Sequence, residues 1–206
     1  MIEFLQSTVE YQKWGWNAAT LGAVATVPFT IIQGWSFMEQ GRAIWRERSG
    51  QSVSVVMTGF YFIYFCAFFI YASYVPSIAM MFNCLLCMPV LFIFAGLWRY
   101  KIFTKMEWKT LGISMTVIPA MIWLPKDAVL TVLFVAAYIF LIQQGYEVWK
   151  NGPGVLELSF ILTMLLSGAC WAAFSYWADQ WPVFWFTLSA APIWFLILYQ
   201  RYTTPP

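Results

Sequence analysis

The chain has 206 residues, 62% hydrophobic, 21% aromatic and only 10% charged, with a net charge of +2 and no histidine. Soluble domains carry about 25% charged residues, so a water-soluble globular fold is excluded. So small a net charge also gives no electrostatic footprint for nucleic acid.

Met1 to Trp14 carries Glu3 and Glu10 and lacks the basic start of a signal peptide, so it reads as a short interfacial segment. Seven apolar stretches follow, at approximately 16–38, 52–74, 76–98, 108–124, 127–149, 155–177 and 181–200. A bilayer core of about 30 Å takes about 20 apolar residues per helix, and only helices or closed barrels satisfy their backbone groups there. Runs such as Val129 to Ile142 are apolar on every face, whereas a barrel strand alternates. The predicted fold class is an all-α membrane protein of seven transmembrane helices, a single membrane domain over residues 1–206.

Trp14, Trp16, Trp98, Trp108, Trp123, Trp177 and Trp181 fall where spans meet water, the level that indole rings prefer. The four cysteines, Cys66, Cys84, Cys87 and Cys170, lie inside spans. Cys84 and Cys87 have metal-like spacing but no third or fourth ligand, so they read as packing residues, and no metal or cofactor is expected.

Seven crossings put the termini on opposite sides. One side collects nine cations (Arg42, Arg46, Arg48, Arg99, Lys101, Lys105, Lys109, Lys150 and Arg201) against two, Lys13 and Lys126, on the other. The positive-inside rule then places the amino terminus outside and the carboxyl terminus in the cytoplasm. The short termini favour a bacterial inner membrane.

An internal repeat is visible. Gln40-Gly41-Arg42-Ala43-Ile44-Trp45-Arg46 closes the first span, and Gln144-Gly145-Tyr146-Glu147-Val148-Trp149-Lys150 closes the fifth, 104 positions later. Gly50 and Gly154 follow at equal distances, serines open the next spans (Ser52, Ser54 and Ser159), and Pro76 pairs with Pro182 and Pro89 with Pro192. Both motifs end spans running in the same direction, so the halves are parallel and an extra crossing must separate them. The layout is a first triple-helix repeat at 16–98, a linker helix at 108–124 and a second triple-helix repeat at 127–201. Parallel repeats of this kind hold a solute between them near mid-membrane.

A glutamine ending the first helix of a three-helix repeat, then a basic turn and a serine-opened helix, resembles the PQ-loop superfamily, over about Ala18 to Tyr202. Its best-known members are the SWEET and SemiSWEET sugar transporters. The resemblance implies the three-one-three layout, an outside amino terminus and transport by rocking of two halves. The chain departs from the motif's proline: Glu39 precedes Gln40, and Gln143 precedes Gln144. In the family that proline acts as a hinge. Here Pro28, Pro89, Pro119 and Pro192 inside spans either kink helices, each removing one backbone donor, or are simply tolerated.

Polar side chains at mid-span are costly unless they face protein, water or a solute. Asn83, in the third span, matches a functional asparagine that the resemblance implies there; a helix–helix hydrogen bond is the alternative. Thr187 or Ser189 occupies the matching place of the second repeat. Trp171 resembles a pocket-lining tryptophan of the family, with Tyr64 or Phe65 as its first-repeat counterpart, and ordinary packing as the alternative. Thr58 and Thr163 are candidates for the same passage, as is Gln33. No Asp, Glu, Lys, Arg or His lies at the centre of a span, so downhill movement without a coupling ion is favoured.

The leading expectation is a passive uniporter of a small neutral or aromatic solute, acting within the lipid bilayer. The alternative is a receptor or assembly subunit on the same scaffold, with Phe60, Tyr61, Tyr64, Phe68 and Tyr71 as a lipid-facing partner surface. A homo-oligomer or a membrane partner is compatible with either. An intramembrane enzyme ranks last, because no nucleophile has a visible base.

Overall fold

The computed structural model describes residues 2–15 and 17–203; Trp16, one of the expected interfacial rings, lies outside them. The elements are α1 (Ile2–Ser7), α2 (Val9–Gln12), α3 (Ala18–Glu47), α4 (Val55–Tyr74), α5 (Ile78–Asn83), a 3₁₀ turn (Cys84–Leu86), α6 (Cys87–Tyr100), α7 (Lys105–Met115), α8 (Val117–Trp123), α9 (Lys126–Asn151), α10 (Leu158–Trp177) and α11 (Trp181–Thr203). The described residues contain no strand. Six helical segments are long and apolar enough to cross a membrane: Thr20–Glu47, Val55–Tyr74, Ile78–Tyr100, Lys126–Asn151, Leu158–Trp177 and Trp181–Thr203.

Several helices start on side-chain caps. Asn17 accepts from the amide of Thr20, Ser54 from Met57 and Ser77 from Met80, each satisfying one of the orphan donors of a first turn. Thr104 and Glu107 close a reciprocal capping box at α7. Prolines explain the interruptions. Pro89 has no N–H for the Leu85 carbonyl, and the chain tightens into the 3₁₀ turn just before it. Pro119 likewise cannot serve the Met115 carbonyl, so the expected fourth span at 108–124 is broken at Thr116 into α7 and α8. Pro28 and Pro192 sit inside α3 and α11 without ending them.

The Gln-Gly motifs do not end their helices as the sequence led us to expect. α3 runs on to Glu47 and α9 to Asn151, in each case seven residues past the glutamine. Glu39 and Gln143 stand where a proline would have removed a backbone bond, and both are good helix formers.

α3 packs against α6 and α10; α4 against α6 and α9; α11 against α9 and α10; and α7 and α8 lie along α4. Gly41 lets α3 approach α6 closely, since a Cβ there would run into the Phe92 ring. Close backbone approach through small residues is how helices associate where lipid is no less apolar than the side chains. One expectation fails. Phe60, Phe68 and Tyr71 are buried and Tyr61 and Tyr64 half-buried, stacked inward against Phe140, Phe134 and Trp171, so this row is core and not a lipid-facing partner surface. α4 is apolar all round, so its own sequence does not say which side meets protein. Trp14, Trp98, Trp108, Trp123, Trp177 and Trp181 are exposed, as interfacial rings should be.

Candidate functional site: a polar seam, a small cavity and a reciprocal clasp

On α3, Thr26, Thr30, Gln33, Ser36 and Gln40 recur at spacings of four, three, three and four and are all buried, while Leu21, Val24, Ile31, Ile32 and Trp35 on the other face are exposed. The helix is therefore inside out relative to a soluble one: apolar to the surroundings and polar to the protein. On α10, Thr163, Ser167, Trp171 and Ser175 recur every fourth residue and are buried. The two stripes meet at a hydrogen bond between the hydroxyls of Ser36 and Thr163, 2.6 Å apart. The corresponding contact of α4 with α9 is aromatic instead, Phe60 on Phe140 at 4.9 Å and Tyr64 on Phe134 at 6.0 Å.

A cavity of about 70 Å³ opens along this seam, lined by Gln33, Tyr61, Tyr64, Phe65, Asn83, Met164, Leu165, Ser167, Gly168, Trp171, Val183, Phe186, Thr187, Ala190, Ala191 and Trp194. Asn83 donates to Thr30 Oγ1 at 3.2 Å and Gln33 to the Met164 sulfur at 3.0 Å. The carbonyl oxygens of those two amides, and the hydroxyls of Tyr61 and Tyr64, make no hydrogen bond among the described residues. That leaves acceptors and donors for a guest. Ligand pockets run from about 300 Å³ upward, so at about 70 Å³ this cavity has room for a water or two. Phe37 packs on Phe160, 5.1 Å away, and on Tyr61 and Phe65 of the lining, and Phe68 and Phe174 pack on Trp171.

Of the residues singled out from the sequence, Asn83, Trp171 and Thr187 line the cavity, with Gln33, Tyr64 and Phe65. Three others do not. Thr58 donates to the Ser54 carbonyl of its own helix, and Thr163 holds Ser36 beside the cavity. Ser189 turns away to pair with Tyr138. Tyr61, expected on a lipid-facing surface, lines the cavity instead; Ser167, Phe186 and Trp194 went unnamed, although the four-residue spacing from Thr163 to Ser175 marks Ser167 as one face with Trp171.

At one end of the seam the motif glutamines have a definite task. Gln40 is fully buried; its carboxamide donates to the Val155 carbonyl and accepts from the Glu157 amide, both at 2.8 Å. Gln144, equally buried, donates to the Ser52 carbonyl at 2.6 Å and accepts from the Ser54 amide at 2.9 Å. Ser54 and Glu157 are the N-cap residues of α4 and α10. Each glutamine thus satisfies the same two backbone groups of the other half. Lys101 and Arg201 close the pattern, the one donating to the Val53 carbonyl and the other to that of Leu156, each the residue before an N-cap. The two loops also interlock directly: Ser52 donates to the Gly152 carbonyl and Gln51 to that of Asn151.

At the far end the Tyr71 hydroxyl donates to Asp127 at 2.8 Å, with the Gln180 side-chain oxygen 2.9 Å away. The amino-terminal segment bridges the same end, with Glu10 accepting from Ser77 and the Ala79 amide, and Lys13 paired with Asp179. The four cysteines are free, and no group of three or more His, Cys, Asp or Glu among the described residues is placed to hold a metal.

Comparison with protein-family models, with curated proteins and with solved structures finds no match to this chain.

Proposed function

We propose that the chain is a membrane transporter of the PQ-loop, SWEET-like kind, a passive uniporter that moves a small neutral or aromatic solute by alternating access. In this reading α3 to α6 and α9 to α11 are two triple-helix bundles oriented alike. α7 and α8 together form the seventh crossing: 19 residues from Lys105 to Trp123, about 28 Å of helix at 1.5 Å per residue. The amino terminus then lies outside and the clasp in the cytoplasm, where nine cations gather. The exchanged hydrogen bonds of Gln40 and Gln144, and the matching roles of Lys101 and Arg201, support a duplicated half.

The observation that carries the reading is the buried polar face of α3 against α10, passing through a cavity with unspent hydrogen-bonding groups. Polar side chains at membrane depth are expensive to keep and mark solute pathways. The cavity carries no ionisable carboxylate or amine, which favours downhill movement over ion coupling. We read the chain as a carrier and assign it no catalytic residue. Purified protein in liposomes, offered radiolabelled sugars, nucleosides, vitamins and aromatic amino acids, should equilibrate at least one of them without a proton or sodium gradient. Uptake that is strictly gradient-dependent would refute the uniport.

A further inference from the structure

On the face of α4 away from α9, the structure leaves a second concavity, an apolar groove of about 370 Å³ between α4, α6 and α7. Its walls include Phe62, Leu91, Phe94, Leu111 and Met115, and Trp98 and Trp108 stand edge-to-face, 5.0 Å apart, at its mouth. There is room at Gly112, where a Cβ would meet nothing within 4 Å. Trp108 to Met115 is seven steps of helix, so the groove is about 10 Å long.

Cations flank the two indoles along the chain. Arg99 follows Trp98 directly; Lys109 follows Trp108, and Lys105 lies one turn before it on the Gly112 side of α7. All three are exposed, and none makes an ion pair among the described residues. Glu147 is paired with Lys101, and Glu107, which accepts from the neutral Thr104 amide, leaves three cations against one carboxylate in this stretch. In the turn between α6 and α7, Ile102 is 95% exposed and Met106 72%, an apolar pair set among these cations.

We propose that this groove binds one anionic phospholipid, with an acyl chain along Phe94, Leu111 and Met115 and the phosphate held by Arg99, Lys105 and Lys109. The indoles then sit at headgroup level, and Ile102 and Met106 enter the interface beside them. Charge decides the occupant: an apolar groove alone takes any chain, whereas three unpaired cations close in the chain to its indoles select a net negative headgroup, at about fivefold per cation. The inference rests on the chain crossing a membrane and is independent of what the central cavity carries.

The test is native mass spectrometry of the purified full chain titrated with phosphatidylglycerol and phosphatidylcholine of identical acyl chains. The unaltered protein should retain phosphatidylglycerol at least fivefold better. Exchanging Arg99, Lys105 and Lys109 together for Gln should bring the preference below twofold, while Lys150→Gln, elsewhere on the cationic side, leaves it intact. Gly112→Phe fills the groove and should remove the bound lipid, and Gly112→Ala, with room to spare, should keep it. Equal retention of both lipids, a preference that survives the triple exchange or falls equally with Lys150→Gln, or full retention by a folded Gly112→Phe protein would each overturn the proposal.

Discussion

Gln40 and Gln144, 104 positions apart, make the same pair of hydrogen bonds in exchanged halves of the chain: each accepts from an N-cap amide and donates to the carbonyl two residues earlier. The exchange ties α3 to the start of α10 and α9 to the start of α4. Two short, buried contacts therefore close one end of the molecule, and neither half can close that end alone.

The first prediction concerns that clasp. Gln144→Ala leaves the Ser54 amide and the Ser52 carbonyl buried without a partner, at a cost of about 1–3 kcal/mol, and Gln40→Ala does the same at Glu157 and Val155. Because the two loops interlock, the double variant should lose less than the sum, with a coupling of about 0.5–3 kcal/mol. Thermal unfolding of the four proteins in detergent measures it; simple additivity would mean the two glutamines act independently.

Two glycines should respond in opposite senses. Gly154 has φ +47°, and a Cβ there would stand 2.7 Å from Ser52 Oγ and 2.9 Å from the Gln51 carbonyl oxygen, so Gly154→Ala carries about 1–2 kcal/mol of left-handed strain as well as the clash. Gly112→Ala enters open space on a helix and should be neutral or stabilising by up to about 1 kcal/mol. Melting curves of the pair check this, and a Gly154→Ala protein as stable as the parent would disprove the interlock of the loops.

Ligand binding should depend on the cavity and on little else. A solute at about 100 times its Kd stabilises the protein by about 2.7 kcal/mol. Asn83→Leu and Trp171→Ala should each abolish that stabilisation in a thermal-shift screen. Ser189→Ala and Thr58→Ala, whose side chains lie outside the cavity, should keep it. A reversed pattern would move the binding site.

How much of this was legible in the sequence follows from how far each feature reaches. Six spans were readable because apolar length is a local property, and the break near 108–124 was foreseeable in Pro119. Asn83, Trp171 and Thr187 were readable as polar or aromatic residues at depth. Choosing between Thr187 and Ser189 was not: two positions apart on a helix they lie about 200° from one another, and only packing shows which faces inward. The inward stacking of Phe60, Phe68 and Tyr71 was hidden for a related reason, since an all-apolar helix has no preferred face. The clasp was least accessible, because it joins loops about 100 residues apart through backbone groups that carry no sequence signature. The motif glutamines were conspicuous in the chain; their partners were not.

Tyr71 offers a test of the other end. Its hydroxyl ties α4 to Asp127 and Gln180, and hydrogen bonds to charged groups are worth about 1.5–3 kcal/mol. Tyr71→Phe should loosen that end and leave the glutamine clasp unchanged. In a background with the four native cysteines replaced, a cysteine at Ser175 should then react faster with an impermeant maleimide added from the Tyr71 side. An unchanged rate would remove Tyr71 from the closure.

The most direct test of the proposed alternating access is the reach of water to Ser167, which lines the cavity. With Ser167→Cys in the same cysteine-free background, reconstituted in one orientation, an impermeant thiol reagent should label the site slowly from either face of the membrane, and faster from the clasp face once Gln144→Ala is added. Labelling confined to one face under every condition, or absent from both, would contradict transport through the centre of this fold.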